Sequence, residues 1–306
     1  MKILITGASG PFATSAINQL LEKIPARDLI LMSRSPTKLD HFAKLGCDIR
    51  YGDFEKPDSV EAAAQGAERM LLISGHMVGH RVEQHGNAID AAKRAGVTRI
   101  AYTSYYGSDA DCTAMVCQDH YGTEQKLAAS GLEWVALRDG MYGDTMINAA
   151  IPAALRTGEW VTSAPDSALS FIDRRECSAC ALAALLGAGG HSRIYNITGE
   201  EVWTFRQVAE LATELTGRPI TMVQLDDQAF FDHLIGMGIP ADAKQQFNMK
   251  GFEWCAEDMT SFEREMRNNR FAIKSHDVKA LLGHDPKPFR QMVVERIEQI
   301  KVAAEI

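Results

Sequence analysis

No apolar run in this 306-residue chain approaches the ~20 residues that a bilayer-spanning helix requires. A helical membrane protein is therefore not expected. Cysteine is sparse: six residues lie scattered, without the spacing of a disulfide framework. A reducing, cytoplasmic setting follows from that scatter. No charged and apolar leader precedes the first strand, which agrees with a cytoplasmic protein. Basic charge is in deficit, with 32 Lys and Arg against 40 Asp and Glu, a net charge of -8. That balance argues against nucleic acid as the main partner, because phosphate backbones need a basic face. Internal repeats and long linkers are also missing. The nearest approach to a metal set is His76, His80 and His85, but Gly75 and Gly79 break the segment into a loop, so no metal is expected. Cys177-Ser178-Ala179-Cys180 lies in an Ala-rich apolar helix and reads as buried small residues.

What is present begins at the first residue. Met1-Lys2-Ile3-Leu4-Ile5 reads as a short buried strand. Thr6-Gly7-Ala8-Ser9-Gly10-Pro11-Phe12-Ala13 follows, and Thr14 to Lys23 read as a helix. Strand, glycine turn and helix in that order form a dinucleotide-binding unit. Gly7 makes the tight turn. Gly10 lets the backbone approach a pyrophosphate, and Ala13 holds the place of a third small residue where helix and strand pack. The free amides of the first helical turn, beside Ser9, Phe12 and Ala13, face the phosphates, and the helix dipole favours their charge. Pro11 suits the first helical position. A tight turn with no ligand is the plainer alternative.

The end of the second strand separates NAD from NADP. A carboxylate there would bond a ribose 2′-hydroxyl and repel a 2′-phosphate. Here Ser33, Arg34, Ser35 and Lys38 follow Met32, and Asp28 lies at the wrong end. Two cations and two hydroxyls suit a phosphate, which Arg34 could bind in bidentate fashion. The expected cofactor is NADP(H) in preference to NAD(H). Asp53, in Gly52-Asp53-Phe54, could meet the adenine amino group or serve only its turn.

Strand and helix signals alternate through about residue 140. The strands are Leu29 to Met32, Cys47 to Tyr51, Arg69 to Gly75, Arg99 to Ser104 and Glu133 to Arg138, with helices such as Glu83 to Ala95 between. That alternation predicts an α/β fold, a Rossmann-type doubly wound parallel sheet with helices on both faces. Beyond Gly140 the rhythm changes. Asp173-Arg174-Arg175-Glu176 resembles a capping box before a helix from Cys177 to Leu186. Arg193 to Ile197 and Ile220 to Leu225 read as strands. Thr204 caps a helix reaching Thr216, and the chain from Asp226 is mostly helical with loops at Gly236 to Pro240 and Gly283 to Pro288. The expected organisation is an NAD(P)-binding domain over 1–145 and a smaller, partly interleaved substrate region over 146–306.

TGASG at Thr6 to Gly10, GDF at Gly52 to Phe54, the strand end Ser74-Gly75, Ala95-Gly96-Val97, Tyr102-Thr103-Ser104, His120 with Thr123-Glu124, and Leu137-Arg138 with Tyr142 together resemble the NmrA-like, atypical short-chain dehydrogenase/reductase family. Within it the likeness is greatest to NAD(P)H:quinone oxidoreductases and triphenylmethane dye reductases. The resemblance implies an NADP-binding reductase whose C-terminal region closes over the substrate, and it places Ser74 and Gly75 along the cofactor. Some members of that family are redox-sensing regulators without turnover, which gives a non-catalytic alternative.

Ordinary short-chain reductases use a Ser, a Tyr and a Lys four residues after the Tyr. The Lys charge lowers the Tyr pKa, and the spacing puts both on one helix face. Here Ser104 ends its strand in the expected place and Tyr121 resembles the Tyr, but Gln125 stands at the Lys position. Lys126 would point about 100° away around the helix. Without that charge Tyr121 is a poor acid, and an alcohol or ketone dehydrogenase is the weaker alternative. An acceptor already eager for hydride, a quinone or a cationic dye, needs alignment more than acid help. His120 is a second proton-donor candidate; both it and Tyr121 could equally only line the pocket. Tyr105, Tyr106, Met141, Tyr142, Met146 and Phe171 form the expected aromatic and thioether wall for a flat acceptor. The expectation is an NADP(H)-dependent oxidoreductase of quinone-like aromatic acceptors, with Ser104, His120 and Tyr121 in the active site.

Overall fold

The computed structural model describes residues 1–249 and 254–306. Six strands build the first half: β1 (Ile3–Ile5), β2 (Leu29–Ser33), β3 (Asp48–Tyr51), β4 (Arg69–Leu72), β5 (Arg99–Tyr105) and β6 (Glu133–Asp139). Ile3, Leu4 and Ile5 are wholly buried on both faces, as parallel strands covered by helices require. The seven-stranded sheet runs in the order Arg193–Ile197, β6, β5, β4, β1, β2, β3, and every pairing in it is parallel. It is a Rossmann-like α/β fold.

Helices Pro11–Leu21 and Arg174–Leu186 cover one face through Ala13, Ile17, Leu20, Ala181 and Leu185. Helices Pro57–Ala64, Arg81–Arg94 and Met115–Ala129 cover the other through Val60, Ala88, Ile89 and Leu127. The seventh strand and the helix Arg174–Leu186 come from the second half of the chain, so that half is woven into the nucleotide-binding sheet. A three-stranded sheet (Val202–Thr204, Ala168–Ile172, Met141–Tyr142) and a parallel pair (Thr221–Gln224 with Glu159–Thr162) complete the strands. From Asp227 the described chain is helices and loops, as its sequence predicts.

Two caps differ. Thr204 and Gln207 make a complete capping box at the helix Phe205–Thr216. At Asp173 the box is only half built. Asp173 accepts from the Arg175 amide at 2.8 Å, but Glu176 accepts the Lys287 amide at 3.1 Å instead of turning back. A tertiary partner has replaced the local one.

The helix Met115–Ala129 has no cap of its own. Its first amides are satisfied from helix Ala256–Arg267: Met115 N–H donates to Ser261 Oγ at 3.2 Å and Val116 N–H to Asp258 Oδ1 at 3.1 Å. Thr113 N–H, just upstream, donates to Glu265 Oε1 at 3.0 Å. A helix start needs such acceptors, since its first four amides have none within the helix.

Candidate functional site

The carboxyl end of β1 opens into the glycine loop. Gly7 turns with φ +58°, a left-handed conformation that favours glycine. Gly10 stands before the helix with an extended backbone, and no side chain caps that helix start. A Cβ at Gly10 would lie 3.3 Å from Gly7 O, facing the same space. A bare helix N-terminus flanked by two glycines fits a pyrophosphate. Pro11 is at the first helical position, and Phe12 and Ala13 are buried behind it. Replacing Gly10 with Val should therefore raise the NADPH Kd roughly 100-fold, the scale of two lost charge-assisted hydrogen bonds, while the extended backbone lets the chain fold. Fluorescence titration with circular dichroism checks both; tight binding by a folded variant would place the phosphates elsewhere.

At the end of β2, Ser9 Oγ lies 3.2 Å from Ser33 Oγ, which accepts the Ser35 amide at 3.0 Å. Arg34 and Lys38 are exposed beside it and enter no ion pair among the described residues. Asp53 Oδ1 accepts the Glu55 amide at 3.2 Å, the contact of a turn residue. At the end of β4, the Ser74 amide donates to Thr103 Oγ1 at 2.8 Å and the Gly75 amide to His85 Nε2 at 2.9 Å.

The catalytic register differs from the one expected. Helix Met115–Ala129 turns Cys117, His120, Glu124 and Leu127 toward the sheet, while Tyr121 is half-buried and Gln125 exposed. His120 and Glu124, four residues apart, therefore occupy the face toward Ser104; Tyr121 and Gln125 sit one residue around. Tyr121 takes part in none of the site's hydrogen bonds. His120 Nδ1 meets Tyr102 Oη at 2.7 Å. Burial, with Arg81 behind it, holds His120 well below the usual imidazole range, so its ring is neutral.

Ser104 is committed. Its hydroxyl donates to Glu124 Oε1 at 2.6 Å. Arg138, near the end of β6, donates to Glu124 Oε1 at 2.9 Å and to Oε2 at 2.8 Å, a bidentate buried pair. Arg138 also holds Asp109 at 3.2 Å and the Ser108 carbonyl, fixing the loop after β5. Glu124 thus stands where a lysine would face the active site, and its charge is cancelled from behind.

The expected wall divides. Tyr106, Met146 and Phe171 are core residues: Tyr106 and Phe171 pack against Phe271 and Phe289, and Met146 is buried among their neighbours. All three are buried. Tyr105, Met141 and Tyr142 are only half-buried. Tyr105 lies with its ring centroid 6.0 Å from that of His120. Tyr142 lies 6.4 Å from Phe12, with Arg174 over its ring at 4.8 Å, and its hydroxyl donates to Asp139 Oδ2 at 2.7 Å. Burial raises the Asp139 carboxyl to about 7. Glu124, Arg138, Tyr102 and His85 were missed as site residues. A buried helix stripe and a strand end carrying opposite charges were the available signals.

A glycine loop after β1, together with Ser104, Arg138 and the helix residues His120 and Glu124 at the carboxyl ends of β5 and β6, is the arrangement of a nucleotide-binding protein of the short-chain reductase type. A family model described as NAD(P)H-binding matches residues 7–161. Quinone oxidoreductase 2 of Escherichia coli (strain K12) is 34% identical over 78% of this chain and 82% of its own length. A crystal structure of the E. coli NADPH-dependent quinone oxidoreductase complexed with NADPH superposes with a TM-score of 0.86 at 30% identity, covering 96% of this chain and 99% of that one. The Citrobacter sp. triphenylmethane reductase complexed with NADP(H) gives 0.83 at 25%, with 96% and 99% covered. The chain belongs to the NAD(P)H-binding, NmrA-like family, and it is an NAD(P)H-dependent oxidoreductase. Among the described residues no helix is long and apolar enough to cross a membrane.

Proposed function

We propose that this protein transfers hydride from NADPH to a quinone or a similarly flat, electrophilic aromatic acceptor. The observation that carries the reading is that none of Ser104, His120 and Tyr121 is positioned as an acid. Ser104 directs its hydroxyl hydrogen at Glu124, His120 is neutral, and Tyr121 lies off the facing stripe. Such a site serves an acceptor that needs orientation and exclusion of water more than protonation. The names of the relatives, a quinone oxidoreductase and a triphenylmethane reductase, agree with that class of acceptor.

The nicotinamide, when bound, supplies the hydride. The chain's own residues bind and orient. Gly7, Ser9, Gly10, Pro11, Phe12 and Ala13 cradle the pyrophosphate, and Ser74 and Gly75 run along the cofactor. Tyr105, Met141 and Tyr142 flank the acceptor, and the region from residue 146 closes over it.

Arg34 and Lys38, with Ser33, receive the 2′-phosphate. Arg34→Ala should weaken NADPH binding by about 1.5–3 kcal/mol, as loss of a charged hydrogen bond does, and leave NADH binding unchanged. Parallel titrations decide; equal or tighter NADH binding by the unaltered protein would sink the NADP preference. A screen of NADPH oxidation against quinones, dyes and simple carbonyls tests the reaction. Turnover is expected with quinones and cationic dyes, whereas turnover confined to ketones would overturn the reading.

A further inference from the structure

The protons of the buried cluster behind the site can be placed one by one. The Gly75 amide can only donate, and it meets His85 Nε2 at 2.9 Å. That nitrogen therefore presents a lone pair. Burial and the Arg81 charge push His85 down to about 3, so the ring is neutral and its proton is on Nδ1. Thr123 Oγ1 lies 2.9 Å from Nδ1 and spends its own proton on Asp119 O at 2.9 Å, so it accepts from His85. The Tyr102 oxygen, 3.3 Å from the same Nδ1–H, faces a donor there. Tyr102 keeps its proton, since burial raises its pKa. That proton goes to His120 Nδ1 at 2.7 Å. His120 is neutral too, so its own proton is on Nε2. That nitrogen has no partner among the described residues and is not one of the buried unpartnered atoms. The ring lies beside that of Tyr105, their centroids 6.0 Å apart.

We propose that His85 and Tyr102 are positioning residues: starting from the Gly75 amide, they fix His120 as its Nε2–H tautomer and so present the acceptor's oxygen with an uncharged hydrogen-bond donor. The proposal rests on the hydride-transfer reading above. An acceptor that takes up hydride gains negative charge on its oxygen. That oxygen accepts from Nε2–H while the proton stays on nitrogen, and the proton that completes the hydroquinone comes from water. A preorganised donor aimed at developing charge needs no rearrangement during the step. The choice of tautomer matters because the other one would present a lone pair to the same oxygen and repel it.

Nitrogen-15 NMR of the full chain labelled at histidine, without nucleotide, identifies the protonated nitrogen of each ring, with His85→Gln and His120→Gln assigning the signals. Opposite tautomers are expected: His85 protonated at Nδ1 and His120 at Nε2. Tyr102→Phe should release His120 into a mixture of tautomers and lower kcat with a benzoquinone roughly 10-fold. KM and the NADPH Kd should stay within about twofold. A wild-type His120 protonated at Nδ1 overturns the proposal, and this spectrum decides even if the variant does not fold. A folded Tyr102→Phe that loses activity with the His120 signals unmoved also overturns it, since the hydroxyl would then act only through packing. The expected tautomers with no quinone turnover overturn the hydride-transfer reading, and with it the catalytic role, while the proton placement stands.

Discussion

Replacing Arg138 with Met should lower the free energy of unfolding by about 3–5 kcal/mol, the scale for removing one partner of a buried ion pair. Glu124 is 2% exposed and accepts from Arg138 through both oxygens. Without the guanidinium, a carboxylate would remain in the interior with only Ser104 to solvate it. The loop after β5 would also lose its hold, because the same side chain grips Asp109 and the Ser108 carbonyl. Changing both residues, Arg138→Met with Glu124→Met, should recover much of the loss, since apolar side chains can replace a buried pair at little cost. Urea unfolding at neutral pH measures all three proteins. A single-variant loss below about 1 kcal/mol would mean that water reaches Glu124 and the pair is not truly buried.

The second large effect is on turnover. His120→Phe should reduce kcat with a quinone by roughly 10²-fold, the lower end for one donor aimed at a developing oxyanion. Tyr121→Phe should change it by no more than about threefold, well short of the 10²–10⁴-fold of general acid catalysis. The contrast comes from helix geometry: neighbouring residues point about 100° apart, and His120 is the one on the buried face. Steady-state assays at saturating NADPH compare the two. A Tyr121→Phe enzyme impaired more than the His120→Phe enzyme would restore the tyrosine register and with it a ketone-type mechanism.

The nucleotide half was legible because its signals are local. Met1 to Ala13 carry strand, turn and helix start in unbroken order, and the apolar runs at Leu29, Met70 and Ile100 mark strands buried on both faces. The register of the helix facing Ser104 is set by another pattern in the same residues. Tyr121 with Gln125 has the spacing of the short-chain reductase pair, whereas Cys117, His120, Glu124 and Leu127 form an inward stripe with intervals of three and four. A charged residue in that stripe needs a buried partner, and Arg138, near the end of an otherwise apolar strand, is the complement. Other features had no local signal. Glu176 sits where a capping box wants it, yet a loop more than a hundred residues away captures it. Tyr106 follows a strand end as pocket residues do, and Phe171 sits in a short strand, but only the packing of Phe271 and Phe289, far along the chain, makes them core.

The helix carrying His120 and Glu124 borrows its first acceptors from Ser261 and Asp258, so the ribosome makes the helix well over a hundred residues before it makes the caps. A nascent chain paused before residue 255 already owns the complete glycine loop and all seven strands of the large sheet. It lacks the groups that seat the start of that helix. The strands of the large sheet and the acceptors that seat this helix are thus made at different moments of synthesis.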